Sequence, residues 1–351
     1  MKKDKLQIIS WILIFLLVLA FFVLQLVATI IKTDLKWYVA VGYAVLGVVI
    51  TSIIASIIHE LGHVLCGLII GLKLYSFNVA FLKFSFNGKF KISFVKPNFF
   101  GETILVPKTP ENYAKKFVIS SIWGLVASLV VLAVGLVVAF CSKNVYVYLV
   151  FGLSYHVSAY LLLMNLLPII DNNDGALILT YFLKDEGYKK VLNNSLNISY
   201  ETMLGKTPFE VSPAYLMAFN ASYDYFSVLL KYYRYLAFLW QSVESATKEL
   251  YDISDLDKLP ISLYEIIYKE LFYVSILNGD DNYVKKHEDV VVGFLQGHKQ
   301  AQDYRIHATY RNYKGDVEWA KLIVNSGITA LNGSVDGLDK YEAMLLEKIK
   351  G

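Results

Sequence analysis

Long uninterrupted apolar runs dominate the first half of the chain. Four are long enough to cross a bilayer, which takes about 20 residues. They run from Gln7 to Ile31, Trp37 to Leu72, Phe117 to Phe140 and Val145 to Leu167. Between the second and third the pattern changes to a two-residue alternation, from Ala80 through Leu82-Lys83-Phe84-Ser85-Phe86-Asn87-Gly88-Lys89-Phe90-Lys91-Ile92 to Phe94. Alternation on both sides of Asn-Gly predicts a β-hairpin. A two-residue loop would pair Phe86 with Lys89 and mix the faces. A three-residue loop, Phe86-Asn87-Gly88, pairs Phe84 with Phe90, Leu82 with Ile92 and Lys83 with Lys91. That register separates a greasy face from a basic one and is the register expected.

From about Tyr188 the chain is polar, rich in tyrosine and helical in period, with no further span. Gly279-Asp280 and Gly315-Asp316 recur 36 residues apart between helical stretches. A helix–Gly-Asp–helix unit of that length loosely resembles the tetratricopeptide repeat, whose period is about 34 residues. A non-repeating helical bundle is the other reading. The fold expected is thus an α-helical polytopic membrane protein. Residues 1–35 form an N-terminal transmembrane anchor. Residues 36–187 form a three-helix membrane core with a membrane-associated β-hairpin at about 76–106, and residues 188–351 an α-helical cytoplasmic domain.

Composition agrees with membrane spans. Of 351 residues, 56% are hydrophobic, and mean hydropathy is +0.47, well above a soluble domain of this length. A net charge of +3 gives no case for nucleic acid. Lys2, Lys3 and Lys5 precede the first span, and Lys73, Lys83, Lys89, Lys91, Lys96, Lys108, Lys115 and Lys116 lie between the second and third. The other two connections are short and carry few lysines. This bias places the N-terminus, the middle loop and the C-terminal half on the cytoplasmic side of a cell membrane. The run after Met1 is too long for the apolar part of an ordinary signal peptide, so it is read as a retained anchor. Cys66 and Cys141 lie far apart in apolar runs and suggest neither a disulfide nor a metal site.

Inside the second apolar run stands His59-Glu60-Leu61-Gly62-His63. On a helix, residues four apart share a face, so both imidazoles can grip one Zn²⁺, with Glu60 beside them as proton acceptor. Zinc lowers the pKa of a bound water to about 7 and polarises a carbonyl. Three ionisable groups in so greasy a helix need a compensating partner, which a metal supplies. Catalytic zinc usually takes a third protein ligand. The fourth run ends at Asn165-Leu166-Leu167-Pro168, where proline should break the helix. In the polar stretch beyond it, Asp174 is the first candidate ligand and Asp171 the second. Trp37 to His59 measures about 33 Å of helix and Tyr146 to Asn165 about 29 Å, so both motifs reach a similar depth. His156, in the fourth run, is read as a packing residue.

These residues resemble the site-2 protease family of intramembrane zinc metalloproteases. His59-Glu60-Leu61-Gly62-His63 is similar to its first motif. Asn165-Leu166-Leu167-Pro168 followed by Asp174-Gly175 is similar to its second. The resemblance covers about residues 37 to 185. It implies that His59, His63 and Asp174 bind zinc, that Glu60 is the catalytic base and that Asn165 holds the substrate backbone. It departs from the family in two places. The gap from Pro168 to Asp174 is one residue longer, which keeps Asp171 open, and Trp123-Gly124-Leu125 stands where Gly-Pro is frequent. The expected function is zinc-dependent hydrolysis of a peptide bond in or near a transmembrane segment of a protein or leader-peptide substrate. A transmembrane substrate must be drawn out as a strand, and the hairpin at Leu82–Ser85 is the expected place for it to add. The partners expected are that substrate, the lipid bilayer and a cytoplasmic protein on the C-terminal helices. Two rivals remain: a non-catalytic peptide-binding scaffold with the same fold, and a zinc transporter, which should carry ionisable residues along several spans.

Overall fold

The computed structural model describes residues 2–86, 90–95, 101–168, 173–217, 222–297 and 300–350. The Asn87-Gly88 turn and Asp171 lie outside the described residues. The chain divides into two compact units, Met1–Leu183 and Lys184–Gly351.

The first unit holds α1 (Lys2–Thr33), α2 (Trp37–Ile69) and α3 (Tyr113–Cys141). A fourth long helix, Val145–Leu166, is broken into α4 (Val145–Val147), a π-helical turn at Tyr148–Gly152 and α5 (Tyr155–Leu166). The short α6 (Asp174–Leu183) follows. Among the described residues, four helices are long and apolar enough to cross a membrane. Their outward faces are greasy, with Leu24, Val45, Leu65, Val137 and Phe140 all exposed.

Small residues set how closely these helices pack. Ala40, Ala44, Gly47, Thr51 and Ala55 form the buried seam of α2, as helix pairs without a hydrophobic driving force require. A Cβ on Gly47 would lie 2.3 Å from the Val150 carbonyl oxygen, so only glycine lets α2 meet the π-helical turn. Just beyond that turn Ser154 reaches Thr51, Oγ to Oγ1, at 2.7 Å. His156 donates through Nδ1 to the Leu153 carbonyl at 2.9 Å, satisfying an acceptor where the helix is interrupted. The packing role expected for it is thus also a repair of the backbone ladder.

The second apolar run stops being helical sooner than expected. After α2, Gly71 adopts φ +87°, and Leu72, expected to end the span, instead begins β1 (Leu72–Val79). With β2 (Leu82–Ser85), β3 (Lys91–Phe94) and β4 (Glu102–Pro107) it makes a four-stranded antiparallel sheet in the order β3-β2-β1-β4. The hairpin register is shifted by two residues from the one expected: Leu82 pairs with Phe94, Phe84 with Ile92 and Ser85 with Lys91. A shift of two preserves the faces. The phenylalanines of that face therefore still cluster, Phe84 on Phe90 at 6.5 Å and Phe86 on Phe90 at 5.4 Å between centroids. The shift also keeps Lys83, Ser85, Lys91 and Ser93 on the opposite face. A second correction matters more for function. β2 is paired on both sides, by β1 and β3, so Leu82–Ser85 has no free edge for an added strand. Among the described residues the edges are β3 and β4.

The second unit is helical: α7 (Glu186–Met203), α8 (Tyr225–Leu239), α9 (Val243–Tyr251), α10 (Ile261–Leu277), α11 (Asp281–Leu295), α12 (Ala301–Tyr313), α13 (Val317–Leu331) and α14 (Gly337–Lys350). α10 packs on α11 and α12 on α13. The turns carry Gly279 at φ +71° and Gly315 at φ +80°, the left-handed conformation that ends a helix on glycine. Asp280 then caps α11, accepting from the Tyr283 amide at 3.1 Å. The core is aromatic, with Tyr235, Phe272 and Tyr341 fully buried.

Two buried charge networks tie these helices together. Arg305 donates to Glu342 at 2.7 and 3.0 Å and to Glu270 at 2.8 Å. Its guanidinium lies over the Tyr273 ring, 4.2 Å from the centroid. Tyr235 donates to the same Glu270 at 2.6 Å. Burial lifts the Glu342 carboxyl above the usual carboxylate range, against the pull of Arg305. Lys269, also fully buried, donates to Asp303 at 2.5 Å and to Gln300 at 2.9 Å. Removing one partner of such a network strands the others in low dielectric. Arg305→Met should therefore destabilise the second unit by about 3–5 kcal/mol, read as a lowered unfolding midpoint of the full-length protein in detergent. An unchanged midpoint would show that the network carries no stability.

Candidate metal centre

α2 presents His59 and His63 one turn apart on the face that meets α3. The two Nε2 atoms lie 3.1 Å apart. Asp174, the first residue of α6, brings Oδ2 to 3.2 Å from His59 Nε2 and 3.4 Å from His63 Nε2. The three side chains are largely buried, with 9%, 12% and 15% exposure. Zinc bonds of about 2.0–2.1 Å in a tetrahedral site set ligand atoms about 3.3–3.4 Å apart. The observed triangle has nearly those edges, so the donor set and its spacing fit a zinc ion. Glu60 completes a second cluster with His59 and His63, with one ligand atom of each within 4.8 Å of the others.

Asp174 reaches the histidines because the start of α6 is bonded directly to the end of α5. α5 ends at Leu166, and Leu167 is extended, with ψ 128°, ahead of Pro168. Asn173 donates to the Met164 carbonyl at 2.8 Å and to the Leu167 carbonyl at 2.6 Å. Its Oδ1 accepts from the Ala176 amide at 2.8 Å, capping α6. A Cβ on Gly175 would lie 1.8 Å from the Leu166 carbonyl oxygen, so glycine is needed for α6 to start against the end of α5. Asp174 then sits in the first turn of a helix, where the backbone dipole favours a carboxylate.

The imidazoles are oriented from α3. Ser120 accepts from His63 Nδ1 through its carbonyl, and its hydroxyl donates to the His63 carbonyl, both at 3.0 Å. Because a carbonyl only accepts, His63 Nδ1 carries the ring proton of the neutral form and Nε2 the lone pair. Ser128 Oγ lies 2.8 Å from His59 Nδ1. Gly124, between the two serines, makes room: a Cβ there would lie 2.4 Å from His63 Cε1. The start of β4 supports the other side. A Cβ on Gly101 would lie 2.6 Å from Glu60 Cγ, and Thr103 donates to the Glu60 carbonyl at 3.5 Å.

The structure thus brings together His59, Glu60, His63 and Asp174. Asn165 is half-buried at the end of α5 and donates through Nδ2 to the Leu161 carbonyl of its own helix at 3.2 Å. The supporting residues Ser120, Ser128, Gly101 and Asn173 escaped the sequence reading, and Gly124 was noted there only as part of a departure from the resembled family. Only Asn173 left a usable signal, as a capping residue immediately before an apolar helical run.

No protein-family model, curated protein or solved structure matches this chain significantly.

The two candidate aspartates are separated by experiment. Asp174→Asn should weaken zinc binding by more than about 100-fold, the upper end for loss of a merely orienting partner, whereas Asp171→Asn should leave it intact. Competition against a chromogenic chelator in detergent measures both. The reverse result would move the third ligand to Asp171.

Proposed function

We propose that this chain is an intramembrane zinc metalloendopeptidase that hydrolyses a peptide bond in or beside a transmembrane segment of a protein or leader-peptide substrate. The observation that carries the reading is the triangle of His59, His63 and Asp174 with Glu60 beside it, set among helices whose outward surfaces suit lipid. His59, His63 and Asp174 would hold the ion. When bound, it supplies a Lewis acid that polarises a peptide carbonyl and acidifies water. The Glu60 carboxylate accepts the proton of the attacking water and returns it to the departing amine, while α3 and β4 hold the two imidazoles and Glu60 in place. The lysine bias around the connections puts this chemistry toward the cytoplasmic side, with both termini in the cytoplasm of a multi-pass cell-membrane protein. Among the described residues, His59, Glu60, His63 and Asp174 meet in one cluster and His156 is the one other histidine or charged residue buried in the apolar helices, a pattern that favours a hydrolytic centre over a transport path.

The sheet gives the substrate a place to lie. An intact transmembrane helix hides its peptide bonds in its own ladder, so cleavage requires an extended segment. β4 is an edge strand whose start touches Glu60, and a substrate strand added there would run beside the catalytic carboxylate. The helical hairpins of the second unit, with their recurrent Gly-Asp turns, resemble tetratricopeptide units and offer a surface for a cytoplasmic protein.

Two tests follow. Glu60→Gln should retain stoichiometric zinc and abolish cleavage, read by comparing membrane-protein fragments in cells carrying the natural and variant chains. Persistent fragments in the variant would reject Glu60 as the proton acceptor. Proline placed singly at Glu102, Thr103 and Ile104 should block cleavage at the position whose amide faces away from β1, with zinc retained. Normal cleavage at all three positions would reject strand addition to β4.

A further inference from the structure

We propose that Ser128 is a positioning residue of this centre: its hydroxyl accepts the Nδ1 proton of His59 and so keeps the Nε2 lone pair turned toward His63 and Asp174. The inference rests on reading the triangle as a metal site. It starts from an oddity of α3. A serine or threonine inside a helix commonly turns its hydroxyl back to the carbonyl four residues earlier. Thr29, Ser52, Ser56, Ser154 and Thr180 all do so, at 2.6–2.8 Å. Ser128 instead reaches across to α2, bonding His59 Nδ1 at 2.8 Å, and both residues are buried.

The direction of that bond decides what the imidazole pair can do. The Ser120 carbonyl already leaves His63 with a lone pair on Nε2. If Ser128 donated to His59 Nδ1, the His59 proton would move to Nε2, only 3.1 Å from His63 Nε2. The two rings would then satisfy each other and could not share an ion. If Ser128 accepts, both Nε2 atoms present lone pairs to one point, with the Asp174 carboxylate closing the third side. A hydroxyl also suits this depth. The carboxylates that often back metal-binding histidines would add a buried negative charge, and a hydroxyl orients the ring without one.

Cobalt(II) and zinc titrations of the full-length protein in detergent test this. Ser128→Ala should lower the affinity for both metals by about 10–100-fold and change the intensity of the cobalt absorption bands. Ser128→Thr, which keeps the hydroxyl, should restore both. Ser121→Ala, a buried serine of the same helix that bonds neither imidazole, should bind like the natural protein. Natural affinity in Ser128→Ala, or an equal loss in Ser121→Ala, would overturn the assignment. A natural protein that binds neither metal would overturn the metal reading itself and this inference with it, and is seen before any variant is made.

Discussion

Two imidazoles and a carboxylate sit within 3.4 Å of one another among helices made almost wholly of apolar residues. That placement is the constraint on which the rest of the first unit depends. Ionisable groups in such surroundings are costly unless each is paired and held. Three separate elements do the holding. The α3 face of Ser120, Gly124 and Ser128 fixes the rings, the capped start of α6 delivers Asp174, and the beginning of β4 lies against Glu60. None of these could be loosened without leaving a buried polar group unsatisfied, so the local backbone and the chemistry are specified together.

The same logic explains the glycines and small residues around the centre. Side chains that bond across helices require backbones that come close, and close backbones require that Cβ atoms be absent at the crossing. Gly124 clears the His63 ring, Gly101 clears Glu60, and Gly175 lets α6 start against the end of α5. The second unit solves a related problem differently. There the buried charges are neutralised within the protein, as Arg305 with Glu270 and Glu342, and Lys269 with Asp303.

The sequence carried some of this and not the rest. The four long apolar helices were legible because length and hydropathy are one-dimensional properties. So was the meeting of His59 with His63, because helical period fixes it. The convergence of Asp174 was only partly legible: proline, glycine and matching depth brought forward both Asp171 and Asp174, and the family resemblance rather than the spacing preferred Asp174. The sheet was only half legible. Alternation showed the β2–β3 pair, but β1, which begins at Leu72 where the second apolar run was expected to end, went unread. The hairpin register missed by two residues, since faces are preserved under that shift and the pattern cannot distinguish the two. The edge available for strand addition was misplaced for the same reason: whether a strand is interior depends on partners distant in sequence. The orienting serines of α3 were invisible, because a serine that bonds across helices looks in sequence like one that bonds back to its own.

A bound zinc ion is the central requirement of this chemistry. X-ray absorption at the zinc edge, on full-length protein purified without added metal, addresses it directly. One zinc per chain is expected, with nitrogen and oxygen neighbours at about 2.0–2.1 Å and the outer-shell scattering of two imidazoles. Substoichiometric metal, or a sulfur shell at about 2.3 Å, would contradict it.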